Sequence, residues 1–140
     1  MKIGIDIHGV MDRHPDFFKS LISFLEQTGH TVCVVTGMAG DQAVKDLENA
    51  GYDDLCVNLY SMVDYLLNKG VKFDMSDPEN PWCDDQIWWD AKARICQEYG
   101  IDYLIDDSYK YESAFDLIDA KFIHLSKLIP EDDGFCGERK

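Results

Sequence analysis

Short apolar runs that read as strands alternate with helix-like segments along most of this 140-residue chain. The runs fall at residues 3–7, 32–35, 55–59, 103–105 and 121–125. Residues 32–35 are apolar at every position, the pattern of a strand covered on both faces. Phe17, Phe18, Leu21, Ile22, Phe24 and Leu25 trace one face of a helix that starts near Pro15 and stops at Gly29. Further helices are predicted over residues 41–50, 61–69 and 85–99, each followed by a glycine, and near 113–119. This alternation predicts an α/β, three-layer, Rossmann-like domain on a mostly parallel five-stranded sheet. Strand order 3-2-1-4-5 would set the first strand between the second and the fourth.

The pattern weakens between 71 and 85. Residues 71–75 alternate like an edge strand or hairpin arm, and 76–85 form a Pro/Asp/Asn loop around Trp82. Residues 61–85 are a candidate small lid, while the turn from Val10 to Pro15 leaves room for little or no cap. One domain is expected over 1–128, with a loosely held acidic tail over 129–140 that includes Glu131, Asp132 and Asp133.

A hydrophobic content of 46% is enough for a full core, and a net charge of −14 sets the class of partner. Only Arg13, Arg94 and Arg139 carry guanidinium groups, so no basic stripe awaits a nucleic-acid backbone. No apolar stretch approaches the roughly 20 residues that cross a bilayer, and nothing resembles a signal peptide. A soluble, cytoplasmic protein without a membrane partner is expected. Cys33, Cys56, Cys83, Cys96 and Cys136 make neither a CxxC pair nor a Cys/His ligand spacing. Reduced thiols fit that scatter better than a thiol nucleophile or a zinc site.

Chemistry gathers at the strand ends. Asp6 closes an apolar run and precedes a glycine turn, and Asp106-Asp107 close the fourth run in the same way. Each acid alone could cap a turn or helix. Thr36-Gly37 alone could be a strand exit, and Lys92 a solvated lysine. In the order above, however, Asp6, Thr36 and Asp106 meet at one sheet edge, where open α/β sheets bind ligands. Paired acids there suit a hard cation able to hold a phosphate.

Four stretches resemble the haloacid dehalogenase superfamily of phosphohydrolases, in the order that family places them. They are Ile3-Gly4-Ile5-Asp6-Ile7-His8-Gly9-Val10, Val32-Cys33-Val34-Val35-Thr36-Gly37, Lys92, and Tyr103-Leu104-Ile105-Asp106-Asp107-Ser108. The resemblance implies a magnesium-dependent phosphomonoester hydrolase in which Asp6 attacks phosphorus to give an aspartyl-phosphate. It implies Mg2+ held by Asp6, the His8 backbone carbonyl and Asp106, with Asp107 binding directly or through water. Thr36 and Gly37 would hold the phosphoryl oxygens. Lys92 would balance the acids and stabilise the transferring group.

His8 departs from the family pattern, which carries a second aspartate two positions after the nucleophile. Imidazole can take over the acid/base role. The alternatives are a weak or inactive site that still binds phosphate and metal, and a phosphotransferase. A receiver domain would need its acid at the end of a middle strand, where this chain has none. The expected substrate is a small phosphorylated metabolite such as a nucleotide or sugar phosphate, with Arg13 and His14 as specificity contacts. Trp82, Trp88 and Trp89 either pack a lid or stack on a ring. His30 and His124 read as structural. Oligomeric state is open.

Overall fold

Five parallel strands form one sheet in the order β3-β2-β1-β4-β5. They are β1 (Lys2–Ile5), β2 (Thr31–Thr36), β3 (Asn58–Ser61), β4 (Tyr103–Asp106) and β5 (Lys121–His124). The structure, a computed structural model, describes residues 1–77 and 80–130. The sheet order is the one expected from sequence. Ile5 stands opposite Val34 on one side and Ile105 on the other. Asp106 stands opposite His124. The residues that follow these pairs therefore leave the sheet at nearly one level, along its carboxyl edge.

Four helices, α1 (Pro15–Gln27), α2 (Gly40–Asn49), α3 (Met62–Asn68) and α4 (Asp85–Tyr99), cover the two faces. Strand alternation sorts the core accordingly. Ile3, Ile5, Val32, Val34 and Ile105 pack with Phe18 and Ile22 of α1 and Ala43 and Leu47 of α2. Cys33, Val35 and Leu104 face Met62, Val63 and Leu66 of α3 and Trp88, Ala91 and Ile95 of α4. The ends of α4 are fixed by sequence chemistry. The Asp84 carboxylate accepts the N–H groups of Gln86 and Ile87, and Gly100 turns the chain out at φ 69°.

Some bounds differ from expectation. β1 stops at Ile5 rather than Ile7, because the chain winds from Asp6 into one wide turn. In it, Met11 N–H reaches the Asp6 carbonyl and Asp12 N–H the Ile7 carbonyl. β3 begins at Asn58 rather than Leu55, whose N–H closes a turn on the Tyr52 carbonyl. Residues 71–75 form no edge strand; Asp74 and Trp82 make one isolated antiparallel bridge. The alternation there comes from Val71 and Phe73 packing onto the α3/α4 side of the core. The helix expected near 113–119 is a 3-10 segment that starts earlier, over Tyr109–Leu117, and a short 3-10 turn, Leu125–Lys127, follows β5.

Within 61–85, α3 packs beside α4, and Trp82 lies against Trp88 and Trp89 at 5.0 and 6.1 Å between ring centroids. Ile129 is buried, so the packed chain runs past residue 128. Residues 131–140 of the expected acidic tail, with Cys136 and Arg139, lie outside the described residues. Among the described residues, no helix is long and apolar enough to cross a membrane.

Candidate functional site

Alternation along β1 places Asp6 on the side of Gly4, and alternation along β4 places Asp106 on the side of Leu104. Both residues thus lean toward α4, the helix that carries Lys92. The Lys92 ammonium lies 2.5 Å from Asp106 Oδ2 and 3.2 Å from Asp6 Oδ1. Asp107 follows on the same loop. Carboxylate oxygens of Asp6, Asp106 and Asp107 all come within 4.8 Å of one another, and all three residues are buried.

Two buried carboxylates, Asp6 and Asp106, share one ammonium, and the Asp107 carboxylate lies beside them. Burial pushes the Asp6 carboxyl well above the usual carboxylate range; Asp106 adds to this, Lys92 opposes it and Asp107 adds further. Burial works against the Lys92 ammonium, but Asp106 and Asp6 outweigh it and hold its pKa well above the ordinary lysine value. Asp6 Oδ2 is buried with no hydrogen-bond partner among the described residues. An orphaned oxygen in a negative, water-poor pocket is costly unless a cation satisfies it. The donors are all oxygen, which fits a hard divalent ion such as magnesium and disfavours zinc.

Neighbouring groups hold this arrangement. The Ser108 N–H donates to Asp106 Oδ1 at 3.0 Å. Beneath Lys92 lies the Tyr111 ring, 4.4 Å from Nζ to centroid, and Trp89 packs edge-on against that ring at 4.9 Å. The turn after β1 meets the loop after β4 at Gly9. A Cβ on Gly9 would sit 2.2 Å from Asp107 Oδ2, and its φ of 81° already favours glycine.

His124 is tied to the site, contrary to the sequence expectation. Its Nε2 lies 2.9 Å from the Asp107 carbonyl, and its Nδ1 accepts the Ser126 N–H at 3.1 Å. A carbonyl only accepts and a backbone N–H only donates. The ring therefore carries a hydrogen on Nε2 toward the Asp107 carbonyl, and Nδ1 also lies 2.8 Å from Ser126 Oγ. Tyr109 stacks on it at 3.7 Å between ring centroids. Imidazole and ring stack together pin the backbone that carries Asp107.

Of the residues expected at the site, Asp6, Lys92, Asp106 and Asp107 come together. Thr36 ends β2, the strand beside β1, and is fully buried; its Oγ1 accepts the Met38 N–H at 3.2 Å, leaving its own O–H to donate elsewhere. Gly37 follows it, also buried. His8 lies in the wide turn with its imidazole on Asp46 of α2, at 2.7 Å. Arg13 is exposed and His14 half-buried, where the turn enters α1. His30 stays away from the site, bonded to the amino terminus.

Sequence reasoning missed Tyr111, Asp46 and the role of His124. Register could have raised His124, since a parallel β5 sets it level with Asp106. Nothing in the sequence marks Asp46 among the many acids. The wider grooves lie elsewhere. One of about 500 Å³ beside Lys19 and Tyr52, and another of about 530 Å³ between α3 and α4, hold none of the cluster residues. Comparison with family models, curated proteins and solved structures finds no match.

Proposed function

We propose that this chain is a magnesium-dependent phosphomonoester hydrolase of the haloacid dehalogenase type, acting on a small phosphorylated metabolite. The observation that carries the proposal is the buried cluster of Asp6, Asp106 and Asp107, the first two of them on Lys92, with Asp6 Oδ2 left unsatisfied. A structural ion pair needs one acid per ammonium; Lys92 has two, with a third carboxylate beside them. The order of motifs along the chain supports the same reading, and so does the sheet edge on which they meet.

Asp6 is the nucleophile in this proposal. Its free oxygen bonds to phosphorus as the bond to the leaving oxygen breaks, and His8 supplies the proton that oxygen needs. Water then attacks the aspartyl-phosphate, His8 accepts its proton, and inorganic phosphate leaves with Asp6 regenerated. Thr36, the Gly37 N–H and Lys92 hold and stabilise the phosphoryl oxygens. Magnesium, held by Asp6, Asp106, Asp107 and the His8 carbonyl, would neutralise charge on the phosphoryl group.

The test is phosphate release from p-nitrophenyl phosphate and a panel of nucleotide and sugar phosphates, with and without magnesium. Asp6→Asn is assayed in parallel. Turnover that needs magnesium and falls at least ~10³-fold in Asp6→Asn is expected. Turnover retained by Asp6→Asn rules out the covalent route. Magnesium binding without turnover on any ester replaces the hydrolase with a protein that binds metal and phosphate only.

A further inference from the structure

The acid cluster does not account for the His8 side chain, which turns instead to α2. His8 Nε2 lies 2.7 Å from Asp46 Oδ2, and the two side chains are 27% and 22% exposed. Asp46 is itself anchored. Gln42, one turn earlier on α2, donates from its amide nitrogen to Asp46 Oδ1 at 2.9 Å. Ala43 and Leu47 fasten that stretch of α2 to the core. Both carboxylate oxygens are therefore engaged, on a helix packed against the sheet.

An ionised carboxylate can only accept, so this contact requires the hydrogen on His8 to sit at Nε2. A neutral imidazole has one N–H, which leaves Nδ1 with its lone pair. A carboxylate that sets the tautomer and direction of an acid/base imidazole is a recurrent device in group-transfer sites.

We propose that Asp46 is a positioning residue that holds His8 in the Nε2–H form and leaves Nδ1 as its proton-exchanging atom. This rests on the hydrolase reading above. His8 enters the first step as the imidazolium, with its second proton on Nδ1. The Asp6–phosphorus bond forms, the bond to the leaving oxygen breaks, and the Nδ1 proton moves to that oxygen, leaving the neutral Nε2–H ring. In the second, a water oxygen bonds to phosphorus, the Asp6–phosphorus bond breaks, and the water proton returns to Nδ1. The Nε2–H stays on Asp46 throughout. The pair should therefore matter most for alkyl esters, such as sugar phosphates, whose leaving oxygen needs a proton. Aryl esters leave without that help.

Two measurements on Asp46→Ala and Asp46→Asn test the proposal. The first, nitrogen-15 NMR of the imidazoles without substrate, is assigned by comparison with His8→Gln. At a pH high enough for the imidazoles to be neutral, the wild-type chain should show His8 as the Nε2–H form alone, and Asp46→Ala a mixture of both tautomers. The second compares alkyl with aryl phosphates at saturating magnesium. In both variants kcat on alkyl esters should fall on the order of 10²-fold, with aryl esters within about 3-fold of wild type. Magnesium affinity should not change. An unaltered His8 tautomer in Asp46→Ala overturns the proposal. So do equal losses on both ester classes, or faster turnover, which would make Asp46 a restraint on His8. Failure of the hydrolase reading looks different: wild type then turns over no ester, while the NMR measurement still decides whether Asp46 sets the tautomer.

Discussion

The Lys92 ammonium rests 2.5 Å from Asp106 Oδ2 in the interior, with neither side chain exposed. Charges so placed lose their hydration, and each depends on the other to remain ionised. Because Asp6 draws on the same ammonium at 3.2 Å, two carboxylates face one positive charge there.

Removing that ammonium should cost more than removing one of the acids. Lys92→Met leaves Asp6, Asp106 and Asp107 facing one another, and metal-free stability is expected to drop by about 3–5 kcal/mol. Adding Asp106→Asn to Lys92→Met relieves part of the repulsion and should restore part of the loss. Urea unfolding in the presence of a chelator measures both. A Lys92→Met protein as stable as wild type would show that the acids are not held ionised together.

Burial pushes the Cys33 thiol up to about 11 and the Cys96 thiol up to about 12, from an ordinary value of about 8.5. Below the ordinary value, folded and unfolded chains both keep these protons, and the contribution to stability is complete. As pH climbs through the window up to about 11, the unfolded chain ionises and the folded chain does not, so stability falls. The urea midpoint should be lower at a pH of about 10.5 than at about 8. At the lower pH a thiol reagent should modify the exposed Cys56 and spare Cys33 and Cys96 until the chain unfolds. Native Cys96 that reacts as fast as Cys56 would contradict its placement in the core.

The sheet order was legible because strands alternating with helices suit a doubly wound sheet, in which β1 lies between β2 and β4 and Asp6, Thr36 and Asp106 end side by side. Lys92 was legible by its place on the helix before β4, and its burial shows why a lysine stands there. What stayed hidden depends on contacts between elements distant in sequence. Asp46 looks like any acid on the polar side of an amphipathic helix until α2 packs beside the turn that carries His8. Tyr111 sits in a segment that is 3-10 rather than α, so helical periodicity could not reveal which side it buries. The alternation of residues 71–75 misled for a related reason. A period of two also arises when an irregular segment lays Val71 and Phe73 on a helix layer.

Gly9 should fail as alanine for local reasons. The new Cβ would meet Asp107 Oδ2 at 2.2 Å, and the φ of 81° is unfavourable for any side chain. Strain of this kind costs about 1–3 kcal/mol. The larger effect is expected on the carboxylate, which must move away from Asp6 and Asp106. Calorimetric titration with magnesium should therefore show Gly9→Ala losing affinity out of proportion to its drop in melting temperature. Full affinity in Gly9→Ala would mean that Asp107 can shift without harm and is not a ligand.

His124 offers the sharpest separation of positioning from packing. Phenylalanine keeps the stack on Tyr109 but gives up the hydrogen bonds to the Asp107 carbonyl and the Ser126 N–H. Stability should fall by about 1–3 kcal/mol for the buried carbonyl left unpaired. Magnesium affinity should fall by roughly 10- to 100-fold, the usual cost of losing a group that orients a ligand. His124→Gln can still donate to the carbonyl and accept from the amide, so it should recover much of the affinity while losing the stack. Titration of both variants with magnesium, beside their melting temperatures, decides the matter. If His124→Phe binds magnesium as tightly as wild type, the imidazole serves only to fill space beneath Tyr109.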